Sequence, residues 1–338
     1  MTRKVVLITG ANGEIGHGLI TNLCGKNNFE IVALDLNPLD DSLRPHCAHF
    51  IQGDILDIEI IERLRQNYRF NTIYHLASLL STSAEKNPEL AHKVNVDGTM
   101  NLFQIALEHG KMNNEAVKFL YPSSIAAYGI ENLEEKQKAG TISEDQYLAP
   151  TTMYGCNKLY CENLGRYYMS HYRQLTQDTS KIYLDFRGLR FPGLISADTL
   201  PTGGTTDFGP EMLHHAAQNK PYACFVRPDT RLPFMAMPDA IKSLLELENA
   251  PREILTKTVY NVTSFSPTAE DIYKIVLDAF SNSEITFKLD AKRQGIVDSW
   301  PEDIDDSAAR KDWGWSPDYD QDRAFNEYLI PAIRARYQ

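Results

Sequence analysis

Tyr154 and Lys158 stand four residues apart in a stretch with helical periodicity, which puts both on one face of a helix. A free phenol titrates near pH ~10, so tyrosine alone is a poor base at neutral pH. A neighbouring ammonium favours the phenolate and lowers that pKa. The two together form an acid-base couple suited to a hydroxyl or a carbonyl. A Tyr-x-x-x-Lys spacing by itself is commonplace and most often marks an exposed helix face. Here it follows, by one strand-helix unit, the pair Ser123-Ser124 at a strand end. A serine there can hydrogen-bond the same reacting oxygen, and spacing does not separate Ser123 from Ser124.

A second constellation lies near the start of the chain. Gly10-Ala11-Asn12-Gly13-Glu14-Ile15-Gly16 runs from a strand into a helix in a Gly-x-x-Gly-x-x-Gly pattern. Glycines allow a tight turn and a close approach of backbone N–H groups to a pyrophosphate at the helix N-terminus. A glycine triplet is equally compatible with an ordinary strand-helix turn, so the decisive residue is Asp35, which ends the second strand. Its carboxylate can accept hydrogen bonds from both adenosine ribose hydroxyls and would repel a 2′-phosphate, which favours NAD over NADP. Asp54-Ile55, after the third strand, is placed to flank the adenine ring.

These residues need elements to position them. Short apolar runs rich in β-branched residues predict strands over Lys4–Thr9, Glu30–Asp35, Ala48–Gln52, Thr72–Leu76, Val117–Tyr121 and Tyr183–Leu189. Helical periodicity covers Ile15–Gly25, Ile58–Tyr68, Asn87–His109 (with Gly110 as its stop) and Thr152–Tyr172. The alternation predicts an α/β fold, a Rossmann-like doubly wound parallel sheet with right-handed crossovers. Beyond Leu189 the texture changes. Pro192–Pro210 reads as a long Gly/Pro/Thr-rich loop, Asp239–Asn249 as a helix, Thr258–Val262 as a strand and Thr268–Gln338 as helix-rich. The expected organisation is a dinucleotide-binding domain, 1–188 plus 239–262, and a smaller C-terminal substrate-binding lobe, 189–238 plus 263–338, over the carboxyl ends of the strands.

Bulk properties exclude several classes. The chain has 338 residues, 43% of them hydrophobic, and a net charge of −11. That charge argues against a nucleic-acid partner, which wants a basic face. No run approaches the ~18 apolar residues of a membrane span. Cys24, Cys47, Cys156, Cys161 and Cys224 form no Cys-x-x-Cys and are odd in number, so neither a disulfide framework nor a metal site is expected. A first strand beginning at Lys4 leaves little room for a targeting segment, and a cytoplasmic location is the expectation.

Taken jointly, Thr9 to Gly16, Asp35, His75-Leu76-Ala77-Ser78, Asn95-Val96-Asp97-Gly98-Thr99, Ser123-Ser124 and Tyr154 with Lys158 resemble the extended short-chain dehydrogenase/reductase superfamily over nearly the whole chain. The resemblance implies an oxidoreductase in which Asn95 orders a catalytic water chain from mid-helix. It also implies that Leu76, Ala77 and Ser78 line the cofactor, that Lys158 also holds the nicotinamide ribose, and that Ser124 rather than Ser123 faces the substrate.

Nucleotide-sugar epimerases and dehydratases share these features but usually carry Leu-Arg-Tyr-x-Asn after the sixth strand, where this chain has Leu189-Arg190-Phe191-Pro192-Gly193. Gly193 offers no side chain to a sugar nucleotide. That segment, Gly203-Gly204-Thr205-Thr206-Asp207, Arg231 to Ala240, and Asp298-Ser299-Trp300-Pro301 with Asp305 to Trp315 resemble the short-chain type of L-threonine 3-dehydrogenase. The implied reaction is oxidation of L-threonine at C3. A zwitterionic substrate needs partners for both charges: Asp207 for the ammonium, the Thr206 and Ser81 hydroxyls for the carboxylate, and Trp300 closing over it. The bland alternatives are a structural Gly-Thr turn, a helix N-cap at Ser81 and a core tryptophan.

The chain departs from that pattern at Phe208-Gly209-Pro210, and Lys111–Ala116, Glu134–Ala139 and Gln174–Ser180 are longer than a compact member needs. The resemblance also implies a homodimer joined through the helices Asn87–His109 and Thr152–Tyr172. The competing readings are a nucleotide-sugar epimerase or dehydratase and a non-catalytic NAD-binding protein.

Overall fold

The computed structural model describes residues 3–25, 28–176, 181–201 and 203–338. Residues 177–180 of the Gln174–Ser180 stretch and Thr202 of the Pro192–Pro210 loop lie outside them. In chain order the elements are β1 (Lys4–Thr9), α1 (Glu14–Cys24), β2 (Phe29–Asp35), β3 (His49–Gln52), α2 (Ile58–Asn67), β4 (Thr72–His75), α3 (Ser81–Lys86), α4 (Pro88–His92), a π-helical turn (Lys93–Asp97), α5 (Gly98–Asn113) and β5 (Val117–Ser124). Then come α6 (Leu133–Ala139), β6 (Thr141–Ile142), α7 (Met153–Ser170), β7 (Leu184–Phe191), β8 (Gly193–Ile195), α8 (Phe208–Ala217), β9 (Tyr222–Cys224), β10 (Phe234–Ala236), α9 (Met237–Asn249) and β11 (Val259–Asn261). The chain closes with α10 (Ala269–Ala279), β12 (Ile285–Phe287), α11 (Ala291–Asp298), β13 (Asp303–Ile304), α12 (Ser307–Trp313), α13 (Gln321–Arg323), a second π-helical turn (Ala324–Leu329) and α14 (Ile330–Tyr337).

Seven strands form one sheet in the order β11-β7-β5-β4-β1-β2-β3. β1 pairs in parallel with β2 on one side and β4 on the other, with Thr9 opposite both Leu34 and His75. The strand order reverses between β1 and β4, which is where doubly wound sheets open a ligand crevice at their carboxyl ends. Continuous apolar runs explain these strands: Val6, Leu7, Ile8, Val32, Ala33 and Ile73 are all essentially inaccessible, as strands covered on both faces must be. Local signals set the helix ends. Asp57 caps α2 by accepting from the Glu59 N–H at 2.8 Å, and Thr268 and Asp271 form a reciprocal capping box on α10.

The chain divides into two compact units: 1–123, 157–189 and 244–259 form the first, and 124–156, 190–243 and 260–338 the second. The first is built around the sheet, with an aromatic cluster of Phe103, Phe119 and Phe186 in its core. The second has its own core, which includes Phe208, Phe225, Phe234, Trp300 and Phe325. Segment 124–156, read from sequence as part of the first domain, belongs to the second unit. Among the described residues no helix is long and apolar enough to cross a membrane, no metal-holding group of His, Cys, Asp or Glu occurs, and the cysteines are free thiols.

The helix expected to stop at Gly110 does not. α5 continues to Asn113 and ends where Asn114 takes the left-handed conformation, φ 55°. Gly110 answers a packing need instead: a Cβ there would lie 2.0 Å from the Tyr183 carbonyl oxygen. Phe208-Gly209-Pro210, read as loop, opens α8, since proline is tolerated in a first helical turn. The two glycines Gly110 and Gly25 therefore predict opposite outcomes. Gly110→Ala should destabilise by about 3 kcal/mol through overpacking. Gly25→Ala, with φ −70° and nothing within 4 Å of the new carbon, should be neutral or stabilising by about 0.5 kcal/mol. Urea unfolding midpoints check both, and equal effects would refute the assignment.

Candidate active site

Building from the first unit, the β1–α1 turn is held by the residues that sequence singled out. Gly10 adopts φ +68°, and a Cβ on it would come within 2.7 Å of the Ala77 N–H nitrogen and 2.9 Å of the Leu76 carbonyl carbon. Only glycine lets the turn lie against Leu76-Ala77 in this way. The Gly13 N–H donates to the Gly10 carbonyl at 3.1 Å, and Gly13 caps α1 without a side chain of its own. The first N–H groups of α1, from Glu14, Ile15 and Gly16, thus head a helix whose dipole favours an anion.

Asp35 accepts from the Asn12 N–H at 2.9 Å through one carboxylate oxygen and from the Asn37 N–H at 3.0 Å through the other. A carboxylate has about four acceptor positions, so each oxygen keeps capacity for a ribose hydroxyl. The Gly53 N–H donates to the Asp35 carbonyl, which brings the Asp54-Ile55 turn beside it. Asp54 closes that turn by accepting from the Leu56 N–H, and Ile55 is buried against Gly98. These features suit a dinucleotide: a side-chain-free anion cradle and a carboxylate with spare acceptor capacity.

Asn95 lies in the π-helical turn, a local widening that recurs at functional sites. Its side chain accepts from the Leu79 N–H at 2.8 Å and the Ser78 hydroxyl at 3.0 Å, and donates to the Leu79 carbonyl and to Asn157 Oδ1. It therefore fixes the segment leading into Ser81. Ser81 is the first residue of α3, and Leu80 is the N-cap, so Ser81 is not the capping residue weighed as its alternative.

Sequence reasoning assigned no role to three neighbours of these residues, of which His75 is the first. The Thr9 hydroxyl lies 2.8 Å from His75 Nδ1, and His75 Nε2 lies 2.9 Å from the Thr99 hydroxyl, which itself donates to the Asn95 carbonyl at 2.6 Å. Because Thr99 spends its proton on that carbonyl, His75 must donate from Nε2 and accept from Thr9 at Nδ1. Burial, reinforced by the Lys158 charge, holds His75 down at about 3, so it stays neutral. Asn157 and Glu162 are the other two. Their signal was available as α7 spacing, since Glu162 is one turn beyond Lys158.

Lys158 is 4% exposed. Its Nζ donates to the Pro122 carbonyl at 2.7 Å and lies 4.6 Å from the centre of the Tyr121 ring. Burial pulls its ammonium down to about 8, opposed by the nearby Cys161 and Glu162. The Ser123 hydroxyl donates to Glu162 Oε1 at 2.5 Å.

In the second unit, the Ser124 hydroxyl hydrogen-bonds Tyr154 and accepts from the Ala126 N–H at 3.1 Å. The two serines therefore differ: Ser124 engages the phenol, and Ser123 engages a buried carboxylate. Burial pushes the Tyr154 phenol above its ordinary value, and the Ser124 hydrogen bond pulls against that. The net direction is the opposite of the lowering expected from a neighbouring ammonium.

Further along, Gly193 is closely packed. A Cβ there would lie 2.7 Å from the Phe234 ring and 3.3 Å from the Thr206 Cβ. Asp207 Oδ2 accepts from the Gly204 N–H at 2.7 Å and closes the turn that presents Thr206. The Gly204 carbonyl accepts from Arg293 at 2.6 Å. Trp300 is buried in the core, and its indole Nε1 has no partner among the described residues.

The buried lysine has a stability consequence. Its folded pKa lies below the ordinary lysine value of 10.5, so the fold disfavours the ammonium. That cost is fully present below about pH 8 and is relieved as pH rises toward 10.5. Lys158→Met should therefore raise stability by ~1–3 kcal/mol at pH 7 and by much less at pH 10. Thermal unfolding at both pH values tests this, and a pH-independent difference would contradict it.

The model of the NAD dependent epimerase/dehydratase family matches residues 6–263. A protein of Bos taurus named L-threonine 3-dehydrogenase, mitochondrial, is 37% identical over 318 residues, covering 93% of this chain and 79% of that one. An uncharacterized epimerase/dehydratase of Staphylococcus haemolyticus is 33% identical, covering 98% of each. Among solved structures, a monomeric L-threonine 3-dehydrogenase from a metagenome superposes with a TM-score of 0.85 at 37% identity, covering 98% of this chain and all of that one. With its glycine turn, its reversing sheet and its Tyr-Lys helix, this chain belongs to the NAD dependent epimerase/dehydratase family, in the extended branch of the short-chain dehydrogenases/reductases.

Proposed function

We propose that this protein oxidises the 3-hydroxyl of L-threonine to 2-amino-3-oxobutyrate with NAD. Gly193 carries the choice of substrate. An asparagine there, as the sugar-nucleotide enzymes use, would collide with Phe234 and Thr206. The cofactor would be held by Gly10, Asn12, Gly13, Glu14, Ile15 and Gly16 at its phosphates, by Asp35 at the adenosine ribose, by Asp54 and Ile55 at adenine, and by Leu76, Ala77, Ser78, Tyr154 and Lys158 toward its nicotinamide end. When bound, the nicotinamide supplies the hydride acceptor.

The protein supplies the proton chemistry. Ser124 hydrogen-bonds the substrate hydroxyl, and Tyr154 removes its proton. Lys158 favours the phenolate that burial disfavours, which is why the tyrosine works as a base only beside that charge. Asn95 orders the water chain that carries the proton away, and Ser123 supports the helix through Glu162. Asp207 receives the substrate ammonium. The Thr206 and Ser81 hydroxyls are donors for the substrate carboxylate, and Trp300, whose indole N–H has no partner among the described residues, closes over the substrate. A buried donor left unpaired costs ~1–3 kcal/mol, which a ligand can recover. The small-molecule chemistry needs neither nucleic acid nor membrane.

The assay is NADH or NADPH formation with L-threonine, L-serine, 3-hydroxybutyrate and UDP-glucose, each with NAD and NADP. Turnover is expected with L-threonine and NAD, and Tyr154→Phe should cut kcat at least ~100-fold while NAD still binds. Near-normal turnover in that variant, or no reduced cofactor from any substrate, overturns the reading. Sugar-nucleotide conversion without net NADH would instead assign an epimerase.

We also propose a homodimer formed through α5 and α7. Cys156, Tyr160, Asn163 and Tyr167 make an exposed stripe along α7 at helical spacing, with Tyr160 50% and Tyr167 41% exposed. Sedimentation equilibrium should give twice the 38.3 kDa chain mass. The single-chain mass, as for the structural relative named monomeric, would exclude the dimer.

A further inference from the structure

Three consecutive residues at the carboxyl end of β5 engage three residues spaced four apart along α7. The Ser124 hydroxyl bonds Tyr154, the Pro122 carbonyl accepts from Lys158 at 2.7 Å, and the Ser123 hydroxyl donates to Glu162 at 2.5 Å. The first two contacts belong to the chemistry proposed above. The third is a carboxylate with no exposed surface, held by a serine only 3% exposed, one helical turn beyond Lys158.

A buried carboxylate is costly unless it is bonded and paired. A core anchor between helix and strand could be made without a carboxyl group, so the choice of glutamate calls for an account. Its neighbourhood supplies one. Among the described residues, the groups near Lys158 include the Pro122 carbonyl and the Tyr121 ring from β5, His75 from β4, and Cys161 and Glu162 from α7. His75 is neutral, and burial keeps the Cys161 thiol protonated. Tyr121 presents its ring face. Among these groups, Glu162 is the one whose side chain can carry a full negative charge.

We propose that Glu162 is a positioning residue for the reaction: its carboxylate, tethered to the end of β5 by Ser123, is the counter-charge that keeps buried Lys158 an ammonium. The kinetic part rests on the reading of Lys158 as the partner of Tyr154. The charge on Lys158 is measurable without turnover.

The experiment follows the Cε resonance of Lys158 against pH in protein labelled with ¹³C-lysine, assigned by its loss in Lys158→Met. In Glu162→Gln, which keeps the acceptor for Ser123 but removes the charge, the Lys158 midpoint should fall by about one pH unit or more. Ser123→Ala, which keeps the charge and removes the tether, should move it by less than half as much. The alkaline limb of kcat for Glu162→Gln should fall with the resonance. An unchanged Lys158 midpoint in Glu162→Gln, even with a lowered melting temperature, overturns the proposal and leaves Glu162 an anchor. If Glu162→Gln does not fold, Glu162→Asp carries the test. Shortening the side chain draws the carboxylate away from Lys158, so the midpoint should fall by roughly half a unit, and an unchanged midpoint overturns the proposal. A shifted midpoint in a protein that reduces NAD with none of the four substrates upholds the role of Glu162 and removes the proposed function instead.

Discussion

An ammonium buried at the end of a sheet strand is the constraint to which the first unit answers. Lys158 is almost wholly removed from water, and burial opposes its charge. What surrounds it offsets that cost: a carbonyl from Pro122, the face of Tyr121 and the carboxylate of Glu162 one turn along α7. Even His75, which lies near enough to feel the lysine, is kept neutral and committed to two threonine hydroxyls. A protein built only for stability would place an apolar side chain there. The retained charge fits the proposed reaction, in which Tyr154, whose own burial disfavours the phenolate, relies on a cation along the same helix.

The glycine turn answers a different demand. A pyrophosphate is best met by backbone N–H groups at a helix start, and side chains there would obstruct it. Gly13 caps α1 with no side chain, and Gly10 takes a left-handed backbone so that the turn can press against Leu76-Ala77. The Thr9–His75–Thr99 chain of hydrogen bonds then ties β1 and β4 to the helix that carries Asn95. The glycine turn and the Asn95 helix are thus linked by buried polar groups whose donors and acceptors are matched, the condition under which such networks rigidify.

In the second unit the determining features are steric. Gly193 faces Phe234 and Thr206 at distances that admit no larger residue, and Asp207 closes the turn that presents Thr206. These are properties of close packing between segments distant in sequence, and the proposed choice of a small amino-acid substrate rests on them.

Periodicity by itself determined the alternation of strands and helices, and with it a parallel sheet whose order reverses beside β1. The glycine turn, Asp35 and the Tyr154-Lys158 spacing were legible because each is a local pattern within one strand-helix unit. Other features depend on residues far apart in the chain. The stop assigned to Gly110 failed because the residue serves Tyr183, over seventy positions away. The choice between Ser123 and Ser124 was undecidable by spacing, and only the packing of α7 on β5 sends one hydroxyl to Glu162 and the other to Tyr154. Glu162 lies on the same helical stripe as the pair, yet its burial and its bond to Ser123 appear only once the strand end is in place. Sequence alone therefore determined which chemistry the chain carries, through residue types at local spacing. Tertiary structure decided the charge state and partners of each group, because desolvation and hydrogen bonding depend on what long-range contacts bring near.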